Sequence, residues 1–149
     1  MKRFDFLIPT TLIILTLTGI GDAQEKIGAG HLYVGVRVFG AVGDGQADDT
    51  GAFQRALDSG KGDVFVPRGV YRFTRSVVVD LDKVGPVSIT GSGTAKIIMA
   101  GPGPAFKLIG THEGTADPDS VKENVWRNQR MPVISGLEIV GENPKACGI

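Results

Sequence analysis

The sequence is poor in the residues that most often carry chemistry. Among 149 residues there is one cysteine, Cys147, and there are two histidines, His31 and His112. A single cysteine excludes an intramolecular disulfide framework, and one Cys with two His is too few for a CxxC or Cys/His zinc site. Sixteen basic residues balance sixteen acidic ones, so the electrostatic footprint of a nucleic-acid binder is missing and no nucleic-acid partner is expected. Aromatic residues make up 7% of the chain. Glycine is the opposite case: its 22 positions are about twice the usual share of ~7%. Many tight turns and close backbone approaches follow, which argues against a helical bundle.

The N-terminus has the pattern of an export signal. Lys2 and Arg3 precede a mostly apolar stretch from Phe6 to Leu17, and Gly21-Asp22-Ala23 offers small residues at the two positions a signal peptidase reads. The apolar run is shorter than the ~18 residues a membrane span needs, so residues 1–23 read as a signal cleaved before Gln24, with an uncleaved anchor as the alternative. Asp5 fits this pattern poorly. The expectation is a single domain over 24–149, secreted, periplasmic or at the cell surface, with no stable membrane span after cleavage.

From Val34 the valines at 34, 36 and 38 alternate with Gly35 and Arg37, which predicts a strand with one apolar face. Gly43-Asp44-Gly45 supplies residues that tolerate positive φ. Asp48, Asp49 and Thr50 are N-cap candidates for a helix in which Phe53, Ala56 and Leu57 form one apolar stripe. Gly60 and Gly62 mark its end. Three aspartates near glycines invite a calcium reading, but an EF-hand loop counted from Asp44 would place Asp49 where glycine is needed and Arg55 where a bidentate glutamate is needed. The plainer reading is that Asp44 ties a turn and Asp48/Asp49 cap the helix.

The run Val36-Arg37-Val38-Phe39-Gly40-Ala41-Val42-Gly43-Asp44-Gly45, followed by Ala47-Asp48-Asp49-Thr50 and Ala52-Phe53-Gln54-Arg55-Ala56-Leu57, resembles the N-terminal signature of the pectate lyase superfamily. Asp63-Val64-Phe65-Val66-Pro67-Arg68-Gly69-Val70-Tyr71 is similar to that group's first full turn. The group includes polygalacturonases, rhamnogalacturonase-like and epimerase-like proteins and phage tailspikes. The resemblance implies an all-β fold: a right-handed parallel β-helix, or solenoid, whose first coil is covered by an N-terminal capping helix. It is specific for fold and nearly silent on activity.

The residues beyond agree. Val64–Val66, Val70–Phe73, Val77–Val79, Val87–Ile89, Ile97–Met99 and Phe106–Ile109 are short β runs, with Arg68-Gly69, Gly85-Pro86, Gly91-Ser92-Gly93 and Gly101-Pro102-Gly103-Pro104 among the segments between them. They recur at about 20–25 residues, within the range of solenoid repeats. Gly91-Ser92-Gly93-Thr94-Ala95-Lys96 has only a faint likeness to a phosphate loop: the Gly-Lys-Ser/Thr ending is missing, so it reads as a turn. Asp80 and Asp82 lie two apart, on one face of an extended chain, as a paired-carboxylate hydrolase would need. They also end a valine run beside Lys83, which favours a solvated turn.

Thr111–Arg130 is polar and breaks the pattern, so it reads as an insertion between coils, with Asp117-Pro118 opening a short helix and Val121, Val125 and Trp126 on one side. Trp126 beside Arg127 could stack on a sugar ring and bind a carboxylate; the plainer reading is that Trp126 pins the loop to the wall. His112 reads as solvated. Pro132–Gly141 resumes the coil. No C-terminal cap is visible, which predicts the first, truncated part of a longer β-helix.

Two functions follow from the resemblance. The first is an exported polysaccharide-active protein, hydrolase or lyase, whose catalytic coils lie beyond this point. The second is a non-catalytic carbohydrate-binding or surface structural solenoid. The expected partner is a polysaccharide, uronate-containing in the family's manner. No catalytic or metal-binding residues are identifiable and substrate-binding residues are unknown. No cofactor is evident, calcium entering only under the lyase reading. Substrate and oligomeric state are not encoded in any motif here.

Overall fold

A computed structural model describes residues 33–110, 119, 121–129 and 131–149. The export signal, the 1–23/24–149 boundary, His31, His112 and Asp117-Pro118 fall outside them. Among the described residues no helix is long and apolar enough to cross a membrane.

Among the described residues ten strands follow in chain order: β1 (Val34–Gly35), β2 (Asp44–Asp48), β3 (Asp63–Val66), β4 (Gly69–Phe73), β5 (Val77–Asp80), β6 (Ser88–Met99), β7 (Gly103–Pro104), β8 (Phe106–Ile109), β9 (Val133–Gly141) and β10 (Ala146–Cys147). Three helices interrupt them: α1 (Thr50–Asp58), α2 (Leu81–Val84) and α3 (Glu123–Asn128). Each pairing is parallel. β6 receives β3 along Ser88–Gly91 and β4 along Ala95–Met99, and then pairs with β9 over both halves. β5 pairs with β8, and β7 with β10, in separate two-stranded ladders. The molecule is therefore mostly β, with a parallel, curled sheet, and it is β-helix-like.

In-register parallel pairing stacks like on like. Val64 lies on Ile89 and Ile89 on Ile134; Tyr71 lies on Ile97 and Ile97 on Ile139; Val77 lies on Phe106. Every second residue of each strand points inward, so these columns fill the interior. Val64, Tyr71, Val77, Ile89, Ile97 and Phe106 are buried, while Ile134, Leu137 and Ile139 on β9 are half-buried. The repeat that fixes this order is short: Val64 and its partner Ile89 are 25 residues apart (64 to 89).

α1 adds an aromatic cluster. Phe53 packs edge-on against Phe73 at 4.8 Å and Tyr71 at 5.3 Å, and Phe73 meets Phe106 at 5.6 Å. Edge-to-face pairs of this kind contribute about 0.5–1.5 kcal/mol beyond the area they bury. The helix and its N-cap residue also serve part-buried backbone at the neighbouring strands. Asp49 N–H donates to the Arg72 carbonyl at 2.9 Å, Thr74 N–H donates to Thr50 Oγ1 at 3.0 Å, and the Gln54 side chain bonds both backbone groups of Val78.

One expectation is corrected. The strand predicted over the valines at 34, 36 and 38 stops at Gly35, and Val36–Phe39 forms a 3₁₀ turn. Three residues per turn put Val36 and Phe39 on one side, so Val36 is buried and Val38 is exposed. A period of two over so few residues did not distinguish a strand from this turn. Gly43 keeps its expected positive φ, 71°. A Cβ there would also lie 2.8 Å from the Tyr71 ring, so the tyrosine occupies the space a side chain would need.

Candidate functional site

The signature aspartates are structural. The Asp44 carboxylate accepts from Gln46 N–H at 2.8 Å and Ala47 N–H at 2.9 Å, tying its turn as expected; these backbone donors lower its pKa, Ala47 foremost. Asp48 accepts from Thr50 N–H, the Thr50 hydroxyl and the Thr74 hydroxyl. Partial burial alone would raise the Asp48 pKa, but these donors outweigh it and bring it down to about 2. Asp49 holds the N-cap position without capping by its side chain. Its buried carboxylate instead reaches back to the N–H groups of Val42 and Gly43. The capping role predicted for Asp48/Asp49 thus belongs to Asp48, through Thr50 N–H.

Asp80 and Asp82 have separate duties. Asp80 accepts from Asp82 N–H at 3.2 Å, capping α2, and forms an ion pair with Lys83 at 2.9 Å. The Lys83 contact holds the Asp80 pKa below the ordinary carboxylate value, and Asp80 raises that of Lys83 in return. Asp82 is half-buried and turns toward the insertion. Its Oδ1 accepts from Gln129 Nε2 at 2.6 Å and from Asn124 Nδ2 at 3.1 Å. The solvated turn expected for the pair is a short helix, and Asp82 is the peg on which α3 hangs. Asp44, Asp48 and Asp80 all move down in pKa, whereas a general acid for glycoside cleavage needs a carboxyl raised toward neutrality.

A depression lies against α3. Val121, Val125, Trp126, Gln129 and Met131 line a shallow depression of 370 Å³. Trp126 is 58% exposed and Met131 80% exposed. Val121, Val125 and Trp126 line the same depression, but the helix begins only at Glu123, so Val121 precedes it and does not lie on one of its sides as expected. The expectation that Trp126 pins the insertion is corrected: the pin is Asp82 with Asn124 and Gln129, and the indole is left open. Arg127 donates to Glu123 at 2.8 Å, one helical turn back, so its guanidinium already has a carboxylate. Sequence reasoning missed Asn124, Gln129 and Met131; the first two find Asp82 only because the fold brings residues 42 and 47 positions apart together.

The other motifs resolve simply. The turn expected at Gly91–Lys96 is instead the middle of β6, which runs on through it with a shift of register between Thr90 and Ala95; Ser92 and Thr94 bond each other there through their hydroxyls at 3.1 Å, and Lys96 pairs with Glu138 on β9 at 3.2 Å. Among the described residues no group of three or more His, Cys, Asp or Glu side chains could hold a metal ion.

Residues 33–136 match the family described as Rhamnogalacturonase A/epimerase, pectate lyase-like. The chain belongs to this pectate lyase-like family. Its curated relatives include the pre-neck appendage protein of Bacillus phage B103, 42% identical over 66 residues, and the preneck appendage protein of Bacillus phage PZA, 35% identical over 112 residues. Those matches take in 44% and 75% of this pectate lyase-like chain but span only 7% and 12% of the two relatives. Among solved structures, ORF18 of Geobacillus virus E2 is similar with a TM-score of 0.56 and 26% identity, covering 78% of this chain and 22% of that one.

Proposed function

We propose that this pectate lyase-like chain is a non-catalytic module of an extracellular surface or appendage assembly that binds polysaccharide. In this reading its rungs are coils of a right-handed parallel solenoid whose starting end is covered by α1. The observation that carries the non-catalytic reading is the occupation of the paired carboxylates: Asp80 is held by Lys83 and Asp82 by Gln129 and Asn124. The two proteins named as phage appendages support it over the hydrolase and lyase readings. A polysaccharide partner, uronate-containing in the family's manner, is the chemistry the family description suggests.

The test is an activity and retention experiment on polygalacturonate and its methyl ester. The expected result is no release of reducing ends, no unsaturated-uronate absorbance, and retention on the immobilised polymer. Turnover in either assay would refute the non-catalytic reading, and loss of retention the binding one.

A further inference from the structure

We infer that the depression on α3 is a stacking subsite for an uncharged sugar ring, with the open face of Trp126 as its floor. This rests on the polysaccharide-binding reading above and gives it a location and a chemistry.

Size comes first. A specific protein interface uses about 20–30 residues a side, whereas this patch is made by five residues. Its volume of 370 Å³ falls at the small end of the roughly 300–1,000 Å³ typical of small-ligand sites. A second copy of the chain or a partner protein would bring a contact of about 20–30 residues a side to a depression lined by five. It would also have to cover the Glu123–Arg127 pair, whose side chains are 72% and 74% exposed, and removing such a pair from water opposes docking.

Chemistry comes second. An indole flanked by Val121, Val125 and Met131 matches the C–H face of a pyranose, which is apolar while its edges carry hydroxyls. Those hydroxyls would point to the charged groups beside the indole: Glu123 lies one turn before Trp126 on the same face of the helix, and Arg127 follows it in sequence. Because Glu123 already neutralises Arg127, a sugar carboxylate would have to displace an existing partner. An uncharged ring has no such competition. The platform is also held in place, since Asp82 fixes α3 on both sides of the indole through Asn124 and Gln129.

Trp126 is the chain's single tryptophan, so its emission reports this site alone. Three probes are titrated: methyl-esterified galacturonan oligomers, the same oligomers as free acids, and neutral galactan oligomers, with calorimetry in parallel. The expected result is a saturable change in emission with at least one uncharged probe, tighter binding of the ester than of the free acid by threefold or more, and at least a tenfold loss of affinity in Trp126→Ala with Trp126→Phe intermediate. Unchanged calorimetric binding in a folded Trp126→Ala protein overturns the subsite while leaving polysaccharide binding intact. Tighter binding of the free acid overturns the neutral specificity. Silence with all three probes overturns the subsite and the reading beneath it. A shift in emission with protein concentration, matched by sedimentation of a dimer, would assign the patch to a second copy instead.

Discussion

Gln54 and Val78 exchange two hydrogen bonds as if they were neighbouring strands: Gln54 Nε2 donates to the Val78 carbonyl at 2.8 Å, and Val78 N–H donates to Gln54 Oε1 at 2.9 Å. On its other side β5 pairs with β8, so a helical side chain finishes an edge that no strand among the described residues covers. Gln54→Leu removes both bonds at nearly constant volume and leaves two backbone groups unsatisfied, at a cost of about 1–3 kcal/mol each if they stay dry. Urea denaturation should show the loss, and hydrogen exchange at the Val78 amide should accelerate more than at Ile97. An unchanged Val78 rate would mean that the edge is protected by something other than this amide.

Phe53 is where α1 joins the interior. It is fully buried and touches Tyr71, Phe73 and Phe106. Phe53→Ala should cost about 3–5 kcal/mol and Phe53→Leu much less, read as a fall in calorimetric Tm.

Gly101 is required by closeness, not by its backbone angle. A Cβ there would fall on the Thr74 carbonyl, well inside contact distance, whereas a Cβ on Gly35 would meet nothing within 4 Å. Gly101→Ala should therefore destabilise by more than about 2 kcal/mol, as overpacking against fixed backbone does, and Gly35→Ala should be close to neutral. Equal Tm values for the two variants would contradict the stacking of the Thr74 and Gly101 corners.

Asp48 sets an acid limit. Its folded pKa, about 2, lies below the ordinary 3.8, so its contribution is fully present above the ordinary value and is lost as pH falls through about 2. Asp44 and Asp80 shift in the same direction and add to this. Stability should therefore fall between about pH 4 and pH 2. In Asp48→Asn, which keeps an acceptor for Thr50 N–H but does not titrate, that acid slope should be shallower. A parallel slope in wild type and variant would remove Asp48 from the account.

Asp82 positions the insertion without supporting the core. Asp82→Ala should leave the global transition within about 1 kcal/mol of wild type, since the contacts it loses are peripheral. Proteolysis within 121–129 should become several-fold faster, and Trp126 emission should move toward that of free tryptophan. A large fall in Tm with unchanged proteolysis would show that α3 belongs to the cooperative core.

Much of this fold was legible in the sequence because stacking is local in kind, if not in distance. Short Val/Ile/Phe runs broken by glycine can bury their apolar face only against copies of themselves, so the strands over 63–80, 88–109 and 133–141 follow from pattern. The Thr50–Asp58 helix follows from its stripe and from Asp48. Other features were not legible. The apolar residues Val34, Val36 and Val38 fit a strand and a 3₁₀ turn equally well over five positions, and tertiary burial of Val36 chose the turn. Nor did sequence distinguish a Trp126 that pins the insertion from one left exposed, because the pin is Asp82, more than forty residues earlier. Periodicity determines which residues must leave water. Only the folded chain decides which polar groups meet across the turns, because hydrogen-bond partners are chosen by position in space and leave no spacing to read.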